Sequence, residues 1–484
     1  MKTVLKIIGA IIILLILAGA GAYIAWFHNS EEHTLQLSPT EVFSEEKGND
    51  FLITNAHIID VENGVVLEDR HLLILDGRFE QIIDGPVPDT LSQSVSVVDA
   101  ENRYLMPSMF DMHAHLNSGG LIPPDETTRL TALEQFARYG VGAIFTVGGM
   151  GFNQEVTADL IQQQKDRELV SPRIFAAGDF LTSPGGYPIP FLSQILGTPL
   201  EELDLEEQGV IEVTESTDLE PILSRKQELG LNGVKVMVES RLGGATPDSR
   251  ISNAKVEEIA QMASEYNLPV FAHVTNRYDF ESAVDMGVDV IAHNPGVDSL
   301  TNISGYITKM LEDTIYVTPT LSISNRVESL LSAAMLDDPF YLQYSSERTN
   351  RSMENWPIRQ MIASNMGGDA EEEAKKLRAL YNISQFHEAG VPVMMGTDAG
   401  NPTIFPGYSA HKELEFMADA GMTPTEILQS ATIIPARFLK MDDTMGSIAE
   451  GKVASLIMLD ENPLENISNT QSLNRVMLEG YWLD

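Results

Sequence analysis

Four of the ten histidines in this 484-residue chain occupy positions typical of metal ligands. His113 and His115 are separated by one residue, so on a β-strand their side chains project from the same face and can hold one ion. His273, His293 and Asp398 each end a short apolar run. Such nitrogen and oxygen ligands suit zinc, manganese or iron, and the sequence does not choose among these metals. The pattern predicts a metal site whose ligands come from several strands.

Lys235 lies inside a further apolar run. Burying an ammonium group is costly because the charge loses its hydration. A salt bridge, or a side chain that extends to the rim, would explain this lysine structurally. The functional interpretation is a desolvated amine with a lowered pKa that acts as a nucleophile or becomes a metal ligand.

Apolar runs of this kind recur between residues 106 and 442, and each is followed by a helical pattern. Continuous apolar strands that alternate with helices indicate a parallel sheet covered on both faces. Eight such units predict an α/β fold, a (β/α)8 TIM barrel with its active site at the carboxyl ends of the strands. The runs are Met109–His115, Ala143–Val147, Arg173–Ala177, Val234–Val238, Val270–Val274, Val288–His293, Tyr316–Leu321 and Val391–Thr397.

The segments on either side of the barrel contain short apolar runs separated by turn residues. Asp76-Gly77 is a hairpin signal in the first segment, residues 51–105, and residues 443–484 read the same way. Neither segment has enough strands to bury a face alone. We therefore expect them to form one small composite β-sandwich domain.

The N-terminus carries an uncharged run over residues 7–27, which is about the length needed to cross ~30 Å of hydrocarbon. Lys2 and Lys6 precede this run, and an excess of positive charge marks the cytoplasmic side. The sequence thus predicts a transmembrane signal-anchor helix, an acidic tether over residues 28–50 and a catalytic domain outside the cytoplasm. A cleaved signal peptide is the alternative, because small residues at 18–22 resemble a cleavage site, and the protein would then be secreted.

Composition excludes several other classes of site and partner. The chain has no cysteine, so it cannot form disulfides, iron-sulfur clusters or cysteine-ligated zinc sites. Its formal charge of -39 would repel phosphate backbones, which argues against nucleic-acid binding.

Together these motifs resemble the amidohydrolase superfamily, in particular its imidazolonepropionase-like and prolidase-like metal-dependent hydrolases. Residues 111–115, Asp-Met-His-Ala-His, are similar to the family's strand-one motif. Residues 396–399, Gly-Thr-Asp-Ala, are similar to its strand-eight motif, and residues 446–452 to its closing segment. The resemblance extends over residues 55–484. Met106-Pro107-Ser108 departs from the family's usual Met-Pro-Gly, in a turn away from the metals.

The resemblance implies a binuclear metal centre, with zinc as the expected metal. Lys235 would be N6-carboxylated and bridge the two ions. Asp398 would also take a proton from the bridging hydroxide and pass it to the leaving amine. The implied reaction is hydrolysis of an amide or cyclic amide C–N bond in a dipeptide or an N-acyl amino acid. The implied metal ligands are His113, His115, Lys235, His273, His293 and Asp398.

Two alternatives remain open at this point. A mononuclear cyclic-amide or lactone hydrolase would not need a carboxylated Lys235, and a catalytically inactive surface binding protein could use the same barrel. Arg241, Thr320, Tyr408 and His411 fall near the active-site end of the barrel and are candidate substrate contacts, or else ordinary loop and helix residues. The expected partners are a small-molecule or short-peptide substrate, the membrane, and a second copy of the chain, since dimers are common in the group that it resembles.

Overall fold

The computed structural model describes residues 37–44, 50–122, 124–149, 151–196, 198–240, 250–366 and 369–483. In chain order its strands are β1 (Phe51–Asp60), β2 (Val65–Leu75), β3 (Arg78–Asp84), β4 (Ser96–Asp99), β5 (Tyr104–Pro107), β6 (Met109–Ala114), β7 (Val141–Thr146), β8 (Arg173–Ala176), β9 (Phe180–Thr182), β10 (Val210–Glu212), β11 (Val234–Met237), β12 (Val270–His273), β13 (Val290–Ala292), β14 (Tyr316–Thr318), β15 (Leu456–Leu459), β16 (Leu473–Leu478) and β17 (Tyr481–Trp482).

The helices are numbered in chain order, and most of them follow strands between β6 and β15. They are α1 (Pro39–Val42), α2 (Asp89–Ser92), α3 (Glu126–Arg138), α4 (Gln154–Lys165), α5 (Ile189–Leu196), α6 (Glu220–Glu228), α7 (Asn253–Glu265), α8 (Arg277–Asp285), α9 (Ser304–Glu312), α10 (Arg326–Ser332), α11 (Pro339–Leu342), α12 (Glu347–Glu354), α13 (Trp356–Met366), α14 (Asp369–Glu388), α15 (Tyr408–Asp419), α16 (Pro424–Ser430) and α17 (Ile433–Phe438). Short 3-10 turns occupy Leu200–Glu202, Leu321–Asn325, Ala334–Asp337 and Ile467–Gln471.

The central strands close into a parallel barrel. Strands β6, β7 and β8 pair in parallel, as do β11, β12, β13 and β14. The N–H of Asn232 donates to the Ala176 carbonyl at 2.7 Å, and β9, which continues from β8, pairs with β11. These contacts join the two parallel runs on one side.

The eighth side of the barrel is irregular. Residues 391–399 carry only isolated bridges, from Val393 to Val317 on β14 and from Ala399 to Ala114 on β6. Pro392 has no N–H to donate, so one ladder hydrogen bond is missing near the start of this segment. The segment nevertheless closes the barrel, because the N–H of Asp398 donates to the His113 carbonyl at 2.7 Å.

Strands from both chain ends form one sheet in the order β17-β16-β15-β5-β1-β2-β3, with β4 also paired to β1. Strand β5 lies between β1, to which it is parallel, and β15, to which it is antiparallel. Apolar residues of both ends, among them Ile53, Leu72, Leu456 and Trp482, pack into a cluster separate from the barrel core. Where the sequence predicts a sandwich, the structure therefore has a single, continuously hydrogen-bonded sheet that packs on its own apolar cluster.

The fold predicted from the sequence is wrong in one part, the N-terminal transmembrane helix. No helix within the ranges given above is long and apolar enough to cross a membrane. The predicted span, residues 7–27, lies outside the described residues. The architecture that the structure supports is the α/β barrel with its end sheet.

Part of the expected tether packs against the barrel. Val42 in α1 is 1% exposed, and the Leu37 N–H donates to Glu134 Oε1 at 3.1 Å. The ring of Phe43 meets Tyr481 edge-on, with centroids 5.3 Å apart. Residues 37–43 therefore dock on the barrel and the end sheet.

Candidate metal centre

The residues with metal-ligand chemistry meet at the carboxyl ends of the barrel strands. His113 is in β6 and His273 is the last residue of β12, while His115 and His293 directly follow the last residues of β6 and β13. Each of the predicted ligands is at most 8% exposed. Convergence of neighbouring parallel strands explains this clustering, because their carboxyl ends open on the same end of the barrel. The predicted ligands are His113, His115, Lys235, His273, His293 and Asp398.

Three of these residues already form a group that could hold an ion. The ligand atoms of His113, His115 and Asp398 lie within 4.8 Å of one another. Asp398 Oδ1 is 3.0 Å from His115 Nε2 and 3.7 Å from His113 Nε2. Ligands about 2.0–2.2 Å from a tetrahedral ion are separated by roughly 3–4 Å, so this spacing fits one divalent metal.

The other histidines lie beside this group. The ring of His293 has its centroid 4.4 Å from that of His113 and 4.5 Å from that of His273. Its Nδ1 is 3.7 Å from Asp398 Oδ2, so the two carboxylate oxygens of Asp398 face different histidines. His293 and Asp398 both have positive φ, +77° and +63°. This backbone conformation costs about 1–3 kcal/mol for such residues and is typical of functional sites.

Several polar atoms in the cluster have no hydrogen-bond partner. They are Lys235 Nζ, His113 Nε2 and His273 Nε2, each with less than 1 Å² of exposed area. A buried polar atom without a partner costs about 1–3 kcal/mol, and three of them in one cluster need an explanation. Metal ions bound among these atoms would provide it, so the residues present fit the metal centre that the sequence implies.

The protonation states also suit metal binding. Burial lowers the pKa of His113 and His293 well below the ordinary value, and the nearby charge of Lys235 lowers both further. Burial raises the pKa of Asp398, but the hydrogen bond from His115 and the neighbouring positive charges outweigh it and hold the pKa below its usual range. Burial lowers the pKa of Lys235 to about 7, against the opposing effect of Asp398. Neutral imidazoles and an ionised carboxylate are the forms that bind metals.

Hydrogen bonds fix the orientation of the histidines. His115 Nδ1 is 2.7 Å from the Gly148 carbonyl, and His293 Nδ1 is 3.0 Å from Thr320 Oγ1. Contacts of this type hold the ring and select the tautomer of a metal-binding histidine. If His293 binds a metal while keeping this contact, it must do so through Nε2.

Glu413 of α15 holds the turn that carries Thr320. Its two carboxylate oxygens accept hydrogen bonds from the N–H groups of Leu321 and Ser322, at 2.6 and 2.8 Å. The Ser322 hydroxyl donates to the same carboxylate at 2.7 Å. Burial nevertheless raises the pKa of Glu413 to about 8. These bonds cap the 3-10 turn directly after Thr320, whose φ of +45° is left-handed.

The four residues predicted to contact the substrate lie in different places in the structure. Thr320 lies at the site through its contact with His293. Tyr408 does not reach the site, because its hydroxyl donates to Asp338 and its ring packs in an aromatic cluster. His411 is 0% exposed, and both ring nitrogens are occupied, by Thr470 Oγ1 and the Tyr139 carbonyl. Arg241 lies outside the described residues.

Sequence reasoning missed three residues near the ligands. Glu239 Oε2 is 3.5 Å from His273 Nε2, and the Tyr187 ring stacks on His273 with centroids 5.0 Å apart. Arg326 begins α10 and is close enough for the Asp398 and Tyr187 charges to act on its pKa, which burial lowers. Only Glu239 had a sequence signal, since it follows Lys235 by four residues, just beyond the end of β11.

Comparisons with known proteins agree with this architecture. Residues 104–483 match the Amidohydrolase family. The ochratoxinase of Aspergillus niger is 35% identical over 113 residues, which is 22% of each protein, so the match spans about a fifth of that relative's length. The imidazolonepropionase of Streptococcus sanguinis is 20% identical over 427 residues, 84% of this chain and 87% of the relative. A crystal structure of a Xaa-Pro dipeptidase with bound methionine in the active site has a TM-score of 0.68 at 22% identity and covers 90% of this chain and 100% of that one. This structural likeness shows a shared fold.

Proposed function

Because the chain belongs to the amidohydrolase family, we propose that it is a metal-dependent hydrolase that cleaves an amide C–N bond in a small substrate. The observation that carries the proposal is the buried cluster of histidines with Lys235 and Asp398, in which three polar atoms have no hydrogen-bond partner. Such atoms at the carboxyl ends of barrel strands are suited to hold divalent ions.

In the proposed centre, His113, His115 and Asp398 would hold one ion, and His273 and His293 would hold the other. Two bound divalent ions, with zinc as the proposed metal, would supply hydroxide near neutral pH and polarise the carbonyl of the substrate. Asp398 stays ionised, so its carboxylate can accept a proton and later give it to the departing amine nitrogen. The irregular segment that carries Asp398 fixes this carboxylate between the two groups of histidines.

Lys235 is proposed to be carboxylated. Its buried amine has a pKa of about 7, so much of it is neutral at physiological pH and can attack carbon dioxide. A C–N bond would form as one C=O π bond of carbon dioxide breaks, its electron pair would become the charge on oxygen, and the nitrogen would give a proton to water, which leaves a carbamate anion with two oxygens. These oxygens would be further ligands for divalent ions, which would explain why Lys235 Nζ has no hydrogen-bond partner.

The proposed substrate is a dipeptide or an N-acyl amino acid. Arg326 supports this class, since its guanidinium lies within electrostatic range of Asp398 and Tyr187 and could meet a substrate carboxylate. The name of the structural neighbour, a Xaa-Pro dipeptidase, is consistent with such a substrate.

A mononuclear enzyme is the second candidate. The observation that favours it is that, within the described ranges, His113, His115 and Asp398 form the one group of three such ligands within 4.8 Å. Such an enzyme would use an unmodified Lys235.

The experiment measures bound metal and tests hydrolysis of a panel of dipeptides and N-acyl amino acids. Release of the amine product is the readout of hydrolysis. We expect about two equivalents of zinc per chain, and loss of hydrolysis on chelation that is restored by added metal. Hydrolysis that persists after complete metal removal would contradict the proposal. One equivalent at full activity would favour the mononuclear enzyme.

A further inference from the structure

A cavity of about 410 Å³ lies at the end of the barrel opposite the predicted metal ligands. Arg173, the first residue of β8, and Asn232, two residues before β11, both line it. The amino ends of parallel barrel strands open on the face away from the active site. Glu479, which follows β16, lines the same cavity, so the cavity lies where the barrel meets the end sheet. Its volume falls in the range of about 300–1,000 Å³ that is typical of small-molecule sites.

Part of the cavity lining is apolar. Ile161, Ile174 and Phe175 line it, and each is at most 9% exposed. Gly230 also lines the cavity, with φ at +69°, and a Cβ at this glycine would have no atom within 4 Å. An apolar group placed in this space would be removed from water together with the side chains around it, which favours binding.

The polar part of the lining consists mainly of hydrogen-bond donors. Arg173 donates from Nη2 to Glu479 Oε1 at 2.8 Å, which leaves its other side-chain N–H groups for a ligand. Asn232 Oδ1 accepts the Ala176 N–H at 3.2 Å, so the amide NH2 of Asn232 remains as a donor. Lys165, the last residue of α4, makes no ion pair with any described residue. Because Arg173 and Glu479 balance each other, Lys165 leaves the lining with a net positive charge.

This charge balance is the reverse of that in the whole chain. The chain has 70 acidic and 31 basic side chains, whereas the cavity has two cations and one carboxylate. Ammonium and guanidinium groups form charge-assisted hydrogen bonds with a carboxylate. A bare inorganic anion would leave the apolar part of the lining in contact with water. The ligand that satisfies both parts is a carboxylate with an apolar group attached.

We propose that this cavity is a second binding site, for a small carboxylate that carries an apolar group. The carboxylate would bind Lys165, Arg173 and Asn232, and the apolar group would pack against Ile174 and Phe175. Since the barrel and the end sheet both line the cavity, the bound ligand should stabilise the folded protein. The proposal is independent of the proposed hydrolysis, because the predicted metal ligands lie at the other end of the barrel.

The test measures the affinity of the zinc-loaded protein for 3-phenylpropionate by calorimetry, with acetohydroxamate present to occupy the metal ions. The wild type should bind one equivalent, and 3-phenylpropionamide, which lacks the charge, should bind at least about tenfold more weakly. Lys165→Gln should weaken binding of 3-phenylpropionate by about three- to tenfold, because a charge-assisted hydrogen bond is lost. Lys309→Gln, on α9 and away from the cavity, is the matched control and should bind as the wild type does.

Gly230→Asn tests the location of the site by filling the cavity. Asparagine adopts positive φ more readily than most residues, and its side chain would occupy the space beside residue 230. Affinity for 3-phenylpropionate should fall by at least about tenfold, and the rise in Tm that the ligand causes in the wild type should disappear. Gly287→Asn is the matched control, because Gly287 also lies two residues after a helix, with φ at +72° and open space at its Cβ.

Three results would overturn the proposal. The first is no saturable binding of 3-phenylpropionate by the wild type. The second is wild-type affinity in both Lys165→Gln and Gly230→Asn, which would place the bound carboxylate elsewhere. The third is equal affinity for the amide and the carboxylate, which would remove the assignment of the ligand as an anion.

Discussion

The Asp111 carboxylate joins the first barrel strand to Thr397 on the eighth side. The Thr397 hydroxyl donates to Asp111 Oδ2 at 2.6 Å, and the Thr397 N–H donates to Oδ1 at 3.1 Å. Oδ1 also accepts the N–H of His113 at 3.2 Å. One buried side chain thus positions the backbone beside two predicted metal ligands, His113 and Asp398.

Replacing Asp111 with asparagine should weaken metal binding. The amide has a single oxygen, so one of these donors loses its acceptor and faces an NH2 group. We expect metal affinity to fall by about 10- to 100-fold, as for other partners of metal ligands, measured by competition with a chromogenic chelator. Thr397→Ser keeps the hydroxyl and serves as the control. Wild-type affinity in the asparagine variant would show that Asp111 does not position the site.

Lys235→Met should separate the binuclear from the mononuclear centre. The methionine side chain is similar in volume and cannot be carboxylated. If Lys235 bridges two ions, bound zinc should fall from about two equivalents to about one or fewer, and kcat should fall by at least about 100-fold. Elemental analysis of the purified variant gives the metal count. Full metal content with near-normal turnover would exclude a bridging role.

Glu413→Gln should weaken binding of the ion proposed at His273 and His293 more than binding of the ion proposed at His113, His115 and Asp398. The substitution replaces one acceptor oxygen with an amide NH2, which cannot accept the N–H of Leu321 or Ser322. The turn would release Thr320 and with it the contact to His293. We expect the weaker-bound metal equivalent to be lost at about tenfold lower chelator concentration. Thr320→Val should reproduce the effect, and equal weakening of both equivalents would argue against it.

His411 should contribute to acid sensitivity rather than to catalysis. Burial lowers its pKa to about 4 from an ordinary value of 6.5. Between these values the unfolded chain binds a proton that the folded chain does not, so the contribution of His411 to stability is present above pH 6.5 and is lost as pH falls toward 4. His411→Gln should lower the free energy of unfolding by about 1–3 kcal/mol at pH 7.5 and reduce its fall across this window, as measured by urea denaturation. His71→Gln, on the end sheet, is the matched control.

Much of the barrel and the ligand set could be predicted because both depend on local patterns. A buried parallel strand is a continuous apolar run, and a ligand at its carboxyl end is visible in the sequence as a polar residue that follows it. His115, His273 and His293 all have this signature, and the structure places each at the same end of the barrel.

Contacts between distant segments had no such signature. Asp111 and Thr397 are separated by 286 residues, and Glu413 lies 92 residues from Leu321. In the sequence, His411 falls near the active-site end of the barrel and is a candidate substrate contact. Its helix nevertheless turns the side chain toward Tyr139 instead of the metal ligands. The acidic composition of residues 28–50 concealed Val42 and Phe43, which pack on the folded body.

The end sheet also constrains when the enzyme can be completed during synthesis. Strand β5 ends one residue before β6 begins, and the Ser108 N–H between them donates to the Ser455 carbonyl at 3.1 Å. Until β15 leaves the ribosome, one edge of β5 has no hydrogen-bonding partner. The connection from β5 into β6, the strand that carries His113, is then held on one side only. A chain released before residue 455 would contain every predicted ligand and still lack the support for the first of them.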